Sequence, residues 1–548
     1  KNAKKEFRRE MRRAKHNDDR KFQNEIDSMA EIDQKTFWRM VRSSRKTHGP
    51  PTTSLRINNV IMHEEKDVCD AWADHFQALG DPSGDNHKYD RNNKYRVEND
   101  IKTIVNNIHT RGADIDSNDP IFFSLISHEE VECICRQLKL RKAGGYDGIT
   151  GEHIRYGGKR VIDILVNIFR AMVRLEYIPI NFKRSVVVPV FKGGNKDPLS
   201  KDDYRGISLT TFLSRIWDKV ILNRLKTWLK HIDYPHPLQC ANRKGVSCLN
   251  ASFIIQETAG YLREKGEKLF VAFLDTRKAF DTVWIDGMMY KMYCLGIQGK
   301  SWTLMRENYK HLESCVRVNK TTSRWFPVLR GIRQGGVLSM FQYTVLLHDL
   351  LCDLEKSMYG ISVHDIDVTS PTVADDMTLL ALTEKSLNYC LQAVFSYSML
   401  WHFEHNPGKS GILVFNETKF ERERNRQNQN RKFKLGNNYI PEKESYTHVG
   451  VEIHIDGVVK EGIQNRICKA RRALNAMTGL GIREGGINPL TASKMYKAIC
   501  LPIMLFGSEV WILRKKEMDS LGVAHRQAAR RIQSLPTKAA NAGVLATL

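Results

Sequence analysis

The stretch Thr372-Val-Ala-Asp375-Asp376-Met-Thr-Leu-Leu-Ala-Leu382 sets two adjacent carboxylates between apolar residues that favour β-strands. A third acid, Asp275, ends the apolar run 269–274 about a hundred residues upstream. Carboxylates at the ends of buried strands cost desolvation free energy unless a positive charge compensates them. The pattern therefore predicts a cation site built where buried strands end.

Oxygen-only, carboxylate-rich sites suit Mg²⁺, which keeps water and substrate phosphates as its other ligands. Three such acids on neighbouring strands can hold two metal ions roughly 4 Å apart, an arrangement used for phosphoryl transfer. The acids thus indicate two-metal chemistry on a phosphate substrate.

The charge of the chain points to the kind of partner. The 548 residues carry 85 Lys and Arg against 62 Asp and Glu, a net charge of +23. An excess of this size favours a polyanionic partner. Nucleic acid is the first candidate, an anionic membrane surface the second, and a merely solubilising charge the third.

The chain shows neither a zinc pattern nor a membrane span. Its 11 cysteines are scattered without paired spacing, which indicates reduced thiols of an intracellular protein. The longest apolar stretch, 498–513, contains Pro502 and Glu509 and is too short for a bilayer. A start without Met and an end within helical sequence suggest a fragment of a longer open reading frame.

Periodicity and turn residues divide the chain into elements. Residues 80–120 are predicted to be a linker or loop region, and 417–434 an exposed hairpin tip or long loop. Ser127-His-Glu-Glu130 has the form of a capping box, which predicts a helix through Leu140. The other predicted elements are basic helices in 1–50, a strand at 185–191, and helices at 211–229, 250–264, 387–401 and from about 460 onward.

Three further motifs accompany Ala374-Asp-Asp in chain order. Phe273-Leu-Asp275-Thr-Arg-Lys-Ala-Phe280-Asp281 places an aromatic five residues after the acid. Arg330-Gly-Ile-Arg-Gln334-Gly335-Gly is a glycine-rich turn, and Asn406-Pro-Gly-Lys409-Ser410 is a turn that carries a lysine. In this order and spacing they resemble motifs A, B, C and D of reverse transcriptases.

The flanking sequence extends this resemblance to roughly residues 126–515. The segments 142–149, 188–193 and 204–209 resemble the fingers motifs of non-LTR (LINE-type, jockey-like) retrotransposon and group II intron enzymes. Tyr446-Thr-His448-Val449-Gly450 resembles the primer grip.

The resemblance implies an α+β right-hand polymerase. Its parts would be fingers, a palm with an antiparallel sheet, a helical thumb, and a helical basic N-terminal extension. The expected boundaries are 1–125 for the extension and linker, 126–260 for the fingers, 261–458 for the palm with the primer grip, and 459–548 for a truncated thumb.

The resemblance also implies roles for individual residues. Asp275, Asp375 and, less directly, Asp376 would bind the metal ions, and Lys409 would protonate the leaving pyrophosphate. Asp281 is expected to be structural.

Other residues would bind the nucleotide and the primer. Phe280 would exclude a 2′-OH by a clash. The remaining expected contacts are Arg205, Lys192 and Thr276 with the nucleotide, Gln334 and Gly335 with the template–nucleotide pair, and His448, Val449 and Gly450 with the primer.

The implied reaction is RNA-directed DNA synthesis with two Mg²⁺ ions, for which Mn²⁺ is a possible substitute. The partners would be an RNA template, a DNA primer or target, their RNA–DNA hybrid, and dNTPs. LINE-type elements imply target-primed reverse transcription in the nucleus and a cytoplasmic ribonucleoprotein. That reaction needs an endonuclease, and none is recognisable in this sequence.

Departures from the family pattern keep alternatives open. Val373 replaces the usual aromatic, Gly145 and Gly206 stand where Pro is common and should loosen their turns, and Met340 also replaces a Pro. A decayed nucleic-acid-binding remnant and a group II intron-type maturase are the alternatives. A viral RNA-directed RNA polymerase is opposed by Phe280 and by Ala-Asp-Asp in place of Gly-Asp-Asp.

Overall fold

The computed structural model describes residues 2–44, 54–57, 59–83, 88–110, 119–194, 196–427, 431–457, 460–483, 486–536 and 538–541. The described α-helices are α1 Asn2–Ile32, α2 Gln34–Ser44, α3 Glu65–Leu79, α4 Arg91–Thr110, α5 His128–Arg136, α6 Gly151–Arg155, α7 Gly158–Leu175, α8 Ile180–Lys183, α9 Phe212–Trp228, α10 Leu249–Glu264, α11 Ile285–Leu295, α12 Gly299–Glu307, α13 Ser339–Lys356, α14 Glu384–Trp401, α15 Lys419–Gln427, α16 Lys460–Ala476, α17 Pro489–Met495, α18 Leu501–Leu505 and α19 Lys515–Ile532. The described strands are β1 Leu55–Ile57, β2 Val60–Met62, β3 Ser185–Phe191, β4 Tyr204–Thr210, β5 Leu269–Leu274, β6 Glu313–Val318, β7 Thr321–Thr322, β8 Phe326–Pro327, β9 Ser362–Val363, β10 Ile366–Asp367, β11 Thr372–Val373, β12 Asp376–Ala381, β13 Gly411–Phe415, β14 Lys434–Leu435, β15 Asn438–Tyr439, β16 Ser445–His448 and β17 Val451–His454.

The central sheet has the order β11-β12-β5-β13 and is antiparallel throughout. All six residues of β5 are buried, as a continuous apolar run requires when both faces of a sheet are covered. Leu274 lies opposite Met377 in the β5–β12 pairing. Asp275, which follows β5, therefore lies at the same sheet edge as Asp376, the first residue of β12.

Helices cover this sheet. α10 and α14 pack against β5, and α13 packs against α11 and α14. α14 begins where the Thr383 hydroxyl accepts a hydrogen bond from the Ser386 amide at 3.0 Å, and it ends at His402, whose φ of +61° is left-handed. The turn that carries Lys409 follows at once.

A second sheet has the order β4-β3-β6-β7, with β8 also on β6. β3 coincides with the predicted strand 185–191, and it pairs antiparallel with β4 along its whole length and parallel with β6. α3 covers this sheet, and its fully buried Trp72 packs edge-on against Tyr204 with ring centroids 4.9 Å apart.

The linker predicted for 80–120 is wrong, because α4 occupies Arg91–Thr110. Val97, Ile101 and Ile104 recur at helical spacing and are buried. The prediction missed this helix because it relied on the composition of the segment, which is dominated by exposed Asn and Asp residues. Residues 84–87 and 111–118 lie outside the described part of the chain.

The prediction for 417–434 is confirmed for exposure, since residues 418–420, 423 and 424 are exposed, but the loop predicted for this segment is wrong. α15 forms within it, and the Glu417 carboxylate is fully buried in an ion pair with Arg431. Asn425 Nδ2 donates to Glu417 Oε1 at 2.8 Å, and Lys268 Nζ lies 3.7 Å from the same oxygen. One buried charge thus organises a segment whose polar composition predicted a loop.

The N-cap half of the predicted capping box is confirmed, since the Ser127 hydroxyl accepts a hydrogen bond from the Glu130 amide at 3.2 Å, whereas the Glu130 carboxylate binds Arg224. The helix ends at Arg136 and not at Leu140. The helices predicted at 211–229, 250–264 and 387–401 are confirmed within a few residues.

The chain divides into two compact units: Lys1–His48 with Glu444–Leu548, and Gly49–Lys443. In the first unit, Ile26 and Phe37 of the N-terminal helices pack in one core with Met477, Met495 and Ile532. The four-part division expected from the sequence stays a prediction. The mixed α+β class is confirmed. No helix among the described residues is both long enough and apolar enough to cross a membrane.

Candidate active site

A cleft of about 550 Å³ lies within the unit 49–443. It brings together residues from motifs that are far apart in the sequence. Its lining includes eight of the predicted site residues: Lys192, Arg205, Asp275, Thr276, Phe280, Gln334, Asp375 and Lys409. Asp376 lies beside Asp375 at the start of β12, and Gly335 follows Gln334.

The turn that presents Asp375 is strained and tightly held. Ala374 has a φ of +56°, a conformation that residues with a side chain rarely adopt. Its amide donates to Gln239 Oε1 at 2.9 Å, and Gln239 Nε2 faces the Ala374 carbonyl at 3.5 Å. The segment around Gln239 is itself paired with Thr372. Sequence reasoning missed Gln239, because a lone Gln carries no recognisable signal.

The three acids concentrate negative charge. Burial raises the pKa of Asp375, the Asp275 carboxylate raises it further, and Arg205 opposes the shift. Burial raises the pKa of Asp376 to about 6, and Asp375 and Asp275 add to the effect. Because the donors are carboxylate oxygens, and each disfavours ionisation of the next, the set fits a hard divalent cation.

The turn 406–410 wraps around Asp275. The Asn406 amide donates to the Asp275 carbonyl at 2.7 Å, and the Asp275 amide donates to the Ser410 hydroxyl at 3.2 Å. Lys409 Nζ lies 3.7 Å from Asp275 Oδ2. This ammonium is therefore positioned both to balance the carboxylate charge and to meet a phosphate in the cleft.

A buried polar layer lies under the acids. The Thr276 hydroxyl donates to the Asp375 carbonyl at 3.2 Å and lies 3.3 Å from His405 Nδ1. Burial lowers the pKa of His405 to about 4, which keeps the ring neutral. The Phe280 ring stacks on the buried Tyr343 ring, with centroids 5.0 Å apart and planes 21° from parallel.

The glycine-rich turn of motif B is tied to its neighbours. The Ile332 amide donates to the Phe280 carbonyl at 2.8 Å, and the Ser208 amide donates to the Gln334 carbonyl at 2.9 Å. Gly331 has a φ of +92°, and a Cβ there would lie 2.6 Å from the Asp281 carbonyl oxygen. Only glycine fits this approach of motif B to motif A.

The basic side of the cleft comes from β3, β4 and the loops beside them. Lys192 donates to the Asp202 carbonyl, and its pKa is lowered by burial and by the Lys409 and Arg205 charges. Lys278 Nζ forms an ion pair with Asp202 at 3.2 Å. Clustered cations of this kind suit a triphosphate, whose charge would relieve their mutual repulsion.

The glycines that replace family prolines, Gly145 and Gly206, have close neighbours. Gly206 is inside β4, and a Cβ there would lie 2.5 Å from the Phe76 ring. A Cβ on Gly145 would lie 2.9 Å from the Thr211 Cα. The turn expected at Gly206 is therefore wrong, because this residue is paired in a strand, and the loosening at Gly145 stays a prediction.

Sequence reasoning also missed one wall of the cleft. Residues at the end of α3 and just before α4 contribute His75, Phe76, Leu79, Lys88 and Tyr89. They were assigned to the N-terminal extension and linker, since the sequence holds no signal that this segment folds back onto the motifs.

The predicted primer grip lies in the other unit, on the β16–β17 hairpin. Val449 and Gly450 form its turn with φ values of +42° and +87°, the left-handed pair that a tight hairpin needs. Burial lowers the pKa of His448 to about 4.

In a separate group of metal-ligand atoms, His236 and Glu355 are hydrogen-bonded to each other, whereas Asp367 Oδ2 has no hydrogen-bond partner among the described residues. His236, Glu355 and Asp367 bring ligand atoms within 4.8 Å of one another. His236 Nδ1 accepts a hydrogen bond from the Leu238 amide at 3.2 Å, so the proton of the neutral ring is on Nε2, 3.0 Å from Glu355 Oε2. A metal at Nε2 would move the proton of the neutral ring to Nδ1. Nδ1 could then no longer accept the hydrogen bond from the Leu238 amide.

Residues 192–453 match the family model described as reverse transcriptase (RNA-dependent DNA polymerase). The chain is 25% identical over 421 residues to the RNA-directed DNA polymerase from mobile element jockey of Drosophila melanogaster. These aligned residues are 75% of this chain and 44% of that protein.

Two further relatives agree. The chain is 23% identical over 423 residues to the probable RNA-directed DNA polymerase from transposon BS of Drosophila melanogaster, covering 74% of this chain and 44% of the relative. It is 25% identical over 287 residues to the Pol polyprotein of the type-1 retrotransposable element R2 of Popillia japonica, covering 52% and 39%. The chain thus spans less than half the length of these relatives. Its residues 192–453 are similar to reverse transcriptases, and the chain is similar to proteins named as RNA-directed DNA polymerases of mobile elements and transposons.

Proposed function

We propose that the cleft adds deoxynucleotides to a DNA 3′-OH on an RNA template. One observation carries the proposal: residues of motifs A, B, C and D, separated by more than a hundred residues in the chain, line a single cleft beside a cluster of cations. An acidic end and a basic end in one cleft match a substrate with a reacting hydroxyl and a triphosphate.

The carboxylates of Asp275 and Asp375, with Asp376 beside them, would hold two Mg²⁺ ions, which Mn²⁺ can replace. Bound metal would supply charge stabilisation for the attacking and leaving oxygens. Arg205 and Lys192 would bind the triphosphate oxygens, and Lys409 would donate a proton to the leaving pyrophosphate.

Selectivity would come from the other walls. Phe280 would meet a 2′-OH and exclude ribonucleotides, because a rigid ring discriminates by a clash where a hydrogen bond could not. Gln334 and Gly335 would contact the base pair between template and incoming nucleotide. The β16–β17 hairpin would hold the primer end.

In the whole protein we propose target-primed reverse transcription, in which a nicked genomic strand serves as the primer. The names of the relatives, which refer to a mobile element and a transposon, support this use. The reaction would then take place in the nucleus, and the element RNA would be carried in a cytoplasmic ribonucleoprotein.

The test is primer extension by the purified chain with an RNA template, a DNA primer, dNTPs and Mg²⁺. We expect DNA that extends to the template end. Binding of the chain to a preannealed RNA–DNA hybrid is measured separately. Intact hybrid binding with no extension at any Mg²⁺ or Mn²⁺ concentration would refute the activity and leave a nucleic-acid-binding remnant.

A further inference from the structure

The first half of α1 is exposed and strongly basic. Residues 2–18 are all exposed, whereas Gln23, Ile26 and Ala30 on the second half are buried in the core of their own unit. The helix is thus anchored by its C-terminal turns, and its N-terminal turns extend into solvent.

The basic side chains share one side of this helix. At 3.6 residues per turn, they occupy an arc of about half the circumference. The residues in this arc are Lys4, Lys5, Arg8, Arg9, Arg12, Arg13 and Lys15. Glu6 and Glu10 fall outside the arc, on the opposite side.

This distribution of charge destabilises the first half of α1. Lys4, Arg8 and Arg12 are spaced four residues apart, and like charges at this spacing repel. The first turn contains no acid, although the positive end of the helix dipole favours one there. Among the described residues, no ion pair involves the arc. A merely solubilising surface would intersperse the two signs.

We propose that this arc binds the phosphate backbone of nucleic acid outside the polymerase cleft. A polyanion would relieve both the repulsion within the arc and the unfavourable dipole. Twelve residues of helix span about 18 Å, and an arc of half the circumference can reach phosphates on both sides of a groove. Duplex DNA carries one charge per roughly 1.7 Å of its axis, so several contacts can form at once.

The test compares the parent with a variant that carries Arg8→Gln, Arg9→Gln, Arg12→Gln and Arg13→Gln. Glutamine keeps helix propensity and removes the charge. A matched variant with lysine at the same four positions keeps the charge. Kd is measured in EDTA across a range of NaCl concentrations for duplex DNA, RNA–DNA hybrid, single-stranded RNA and phosphatidylserine vesicles.

For at least one of the three nucleic acids, we expect the Gln variant to reduce the slope of log Kd against log salt by about 2 to 4. The Lys variant should keep the parent slope. Amide exchange of residues 2–18 should slow when that nucleic acid binds to the parent. The nucleic acid most affected by the Gln variant identifies the partner of the arc.

Unchanged slopes in the Gln variant would overturn the proposal and leave a solvated helix face. A loss confined to the vesicles would overturn it in favour of a membrane surface. Because the measurements are made without metal, they do not depend on whether the chain polymerises DNA.

A second inference rests on the Phe280–Tyr343 stack and on the proposed function of Phe280. Tyr343 lies on α13 and is 1% exposed. Its ring stacks on the Phe280 ring, with the two ring centroids 5.0 Å apart. Its hydroxyl is close to the side chain of Thr276, in the layer under Asp375. Because the Tyr343 ring is almost fully buried in a close-packed interior, it has little room to move away from Phe280.

We infer that Tyr343 is a positioning residue for sugar selection: its ring holds Phe280 at the depth where a 2′-OH would clash. Without the Tyr343 ring as its platform, the Phe280 ring could move away from the nucleotide. Ribonucleotides would then be accepted even though Phe280 itself is unchanged. A loss of general stability would lower the use of both nucleotides and leave their ratio unchanged.

The measurement is the ratio of kcat/KM for a dNTP and the matching rNTP. Tyr343→Leu should shift the ratio about tenfold toward the ribonucleotide. Tyr343→Phe keeps the ring and should keep the parent ratio. Phe280→Ala is the control for the gate itself and should shift the ratio at least as far as Tyr343→Leu.

The outcomes separate the two ideas. A shift in Phe280→Ala with none in Tyr343→Leu overturns the platform and keeps the gate. No shift in Phe280→Ala overturns the gate. A shift in Tyr343→Phe as large as in Tyr343→Leu assigns the effect to the hydroxyl and overturns the role of the ring.

Discussion

Gly206→Ala tests how tightly the strand that carries Arg205 is fixed. The added Cβ would lie 2.5 Å from Phe76 Cε1, 2.9 Å from Cζ and 3.0 Å from Val187 Cγ1. Carbon atoms pack at about 3.5–4.0 Å, so the ring or the strand must move by about 1 Å. Phe76 is stacked on Trp72 with centroids 5.6 Å apart, which limits its retreat.

Overpacking of this kind costs about 1–3 kcal/mol, and the added methyl recovers at most about 0.8 kcal/mol by burial. We expect unfolding at a lower denaturant concentration and a higher KM for dNTPs, because Arg205 adjoins the displaced residue. A double-mutant cycle with Phe76→Leu should show a coupling energy of about 1 kcal/mol or more, with the smaller side chain relieving the clash.

The matched control is Gly260→Ala on α10, where a Cβ would meet nothing within 4 Å. That change should stabilise the protein by about 0.5–1 kcal/mol, since alanine favours helices over glycine. If Gly206→Ala is as stable as the parent, or if Phe76→Leu brings no relief, the packing argument fails.

Three further predictions concern buried polar groups. Glu417→Ala should cost about 3 kcal/mol in urea unfolding, because Arg431 loses its nearest carboxylate and keeps only Glu442, at 3.8 Å, as an ion-pair partner among the described residues, and an unchanged stability would show that water reaches the pair. Burial lowers the pKa of His405 to about 4 in the folded protein, so its contribution to the free energy of unfolding is fully present above pH 6.5 and is lost as the pH falls from 6.5 to about 4. His405→Asn should remove this pH-dependent loss, which amounts to up to about 3 kcal/mol. An unchanged dependence of the unfolding free energy on pH would contradict this. Gln239→Ala should lower kcat about 10- to 100-fold by releasing the Ala374 turn, and Gln239→Glu, which keeps the acceptor oxygen, should lose less; equal losses would refute the hydrogen bond as the cause.

The sequence was most informative where chemistry and local structure coincide. The acids at strand ends, the apolar run of β5 and the β3 strand follow from patterns of a few residues, and the structure has them at the predicted positions. The boundary of α5 was off by four residues, because its end has no glycine or proline to mark it.

Long-range contacts could not be read in this way. Gln239 meets the Ala374 turn across 135 residues, and Phe76 contacts the Gly206 site from a segment that was expected to belong to the N-terminal extension. Glu417 was read as part of a solvated segment because a buried ion pair and an exposed one have the same composition. Such partners depend on tertiary packing, which periodicity does not encode.

The central claim is that Asp275 and Asp375 form a metal-dependent polymerase centre. It is tested most directly by the Mg²⁺ dependence of primer extension on RNA in three isosteric variants: Asp275→Asn, Asp375→Asn and Asp281→Asn. Asp281 lines the same cleft and is the matched control, since burial raises its pKa to about 6 and no metal role is assigned to it. We predict that the first two variants lose extension at every Mg²⁺ concentration and that Asp281→Asn retains it. Extension by Asp375→Asn at the parent rate, or an equal loss in all three variants, would contradict the account.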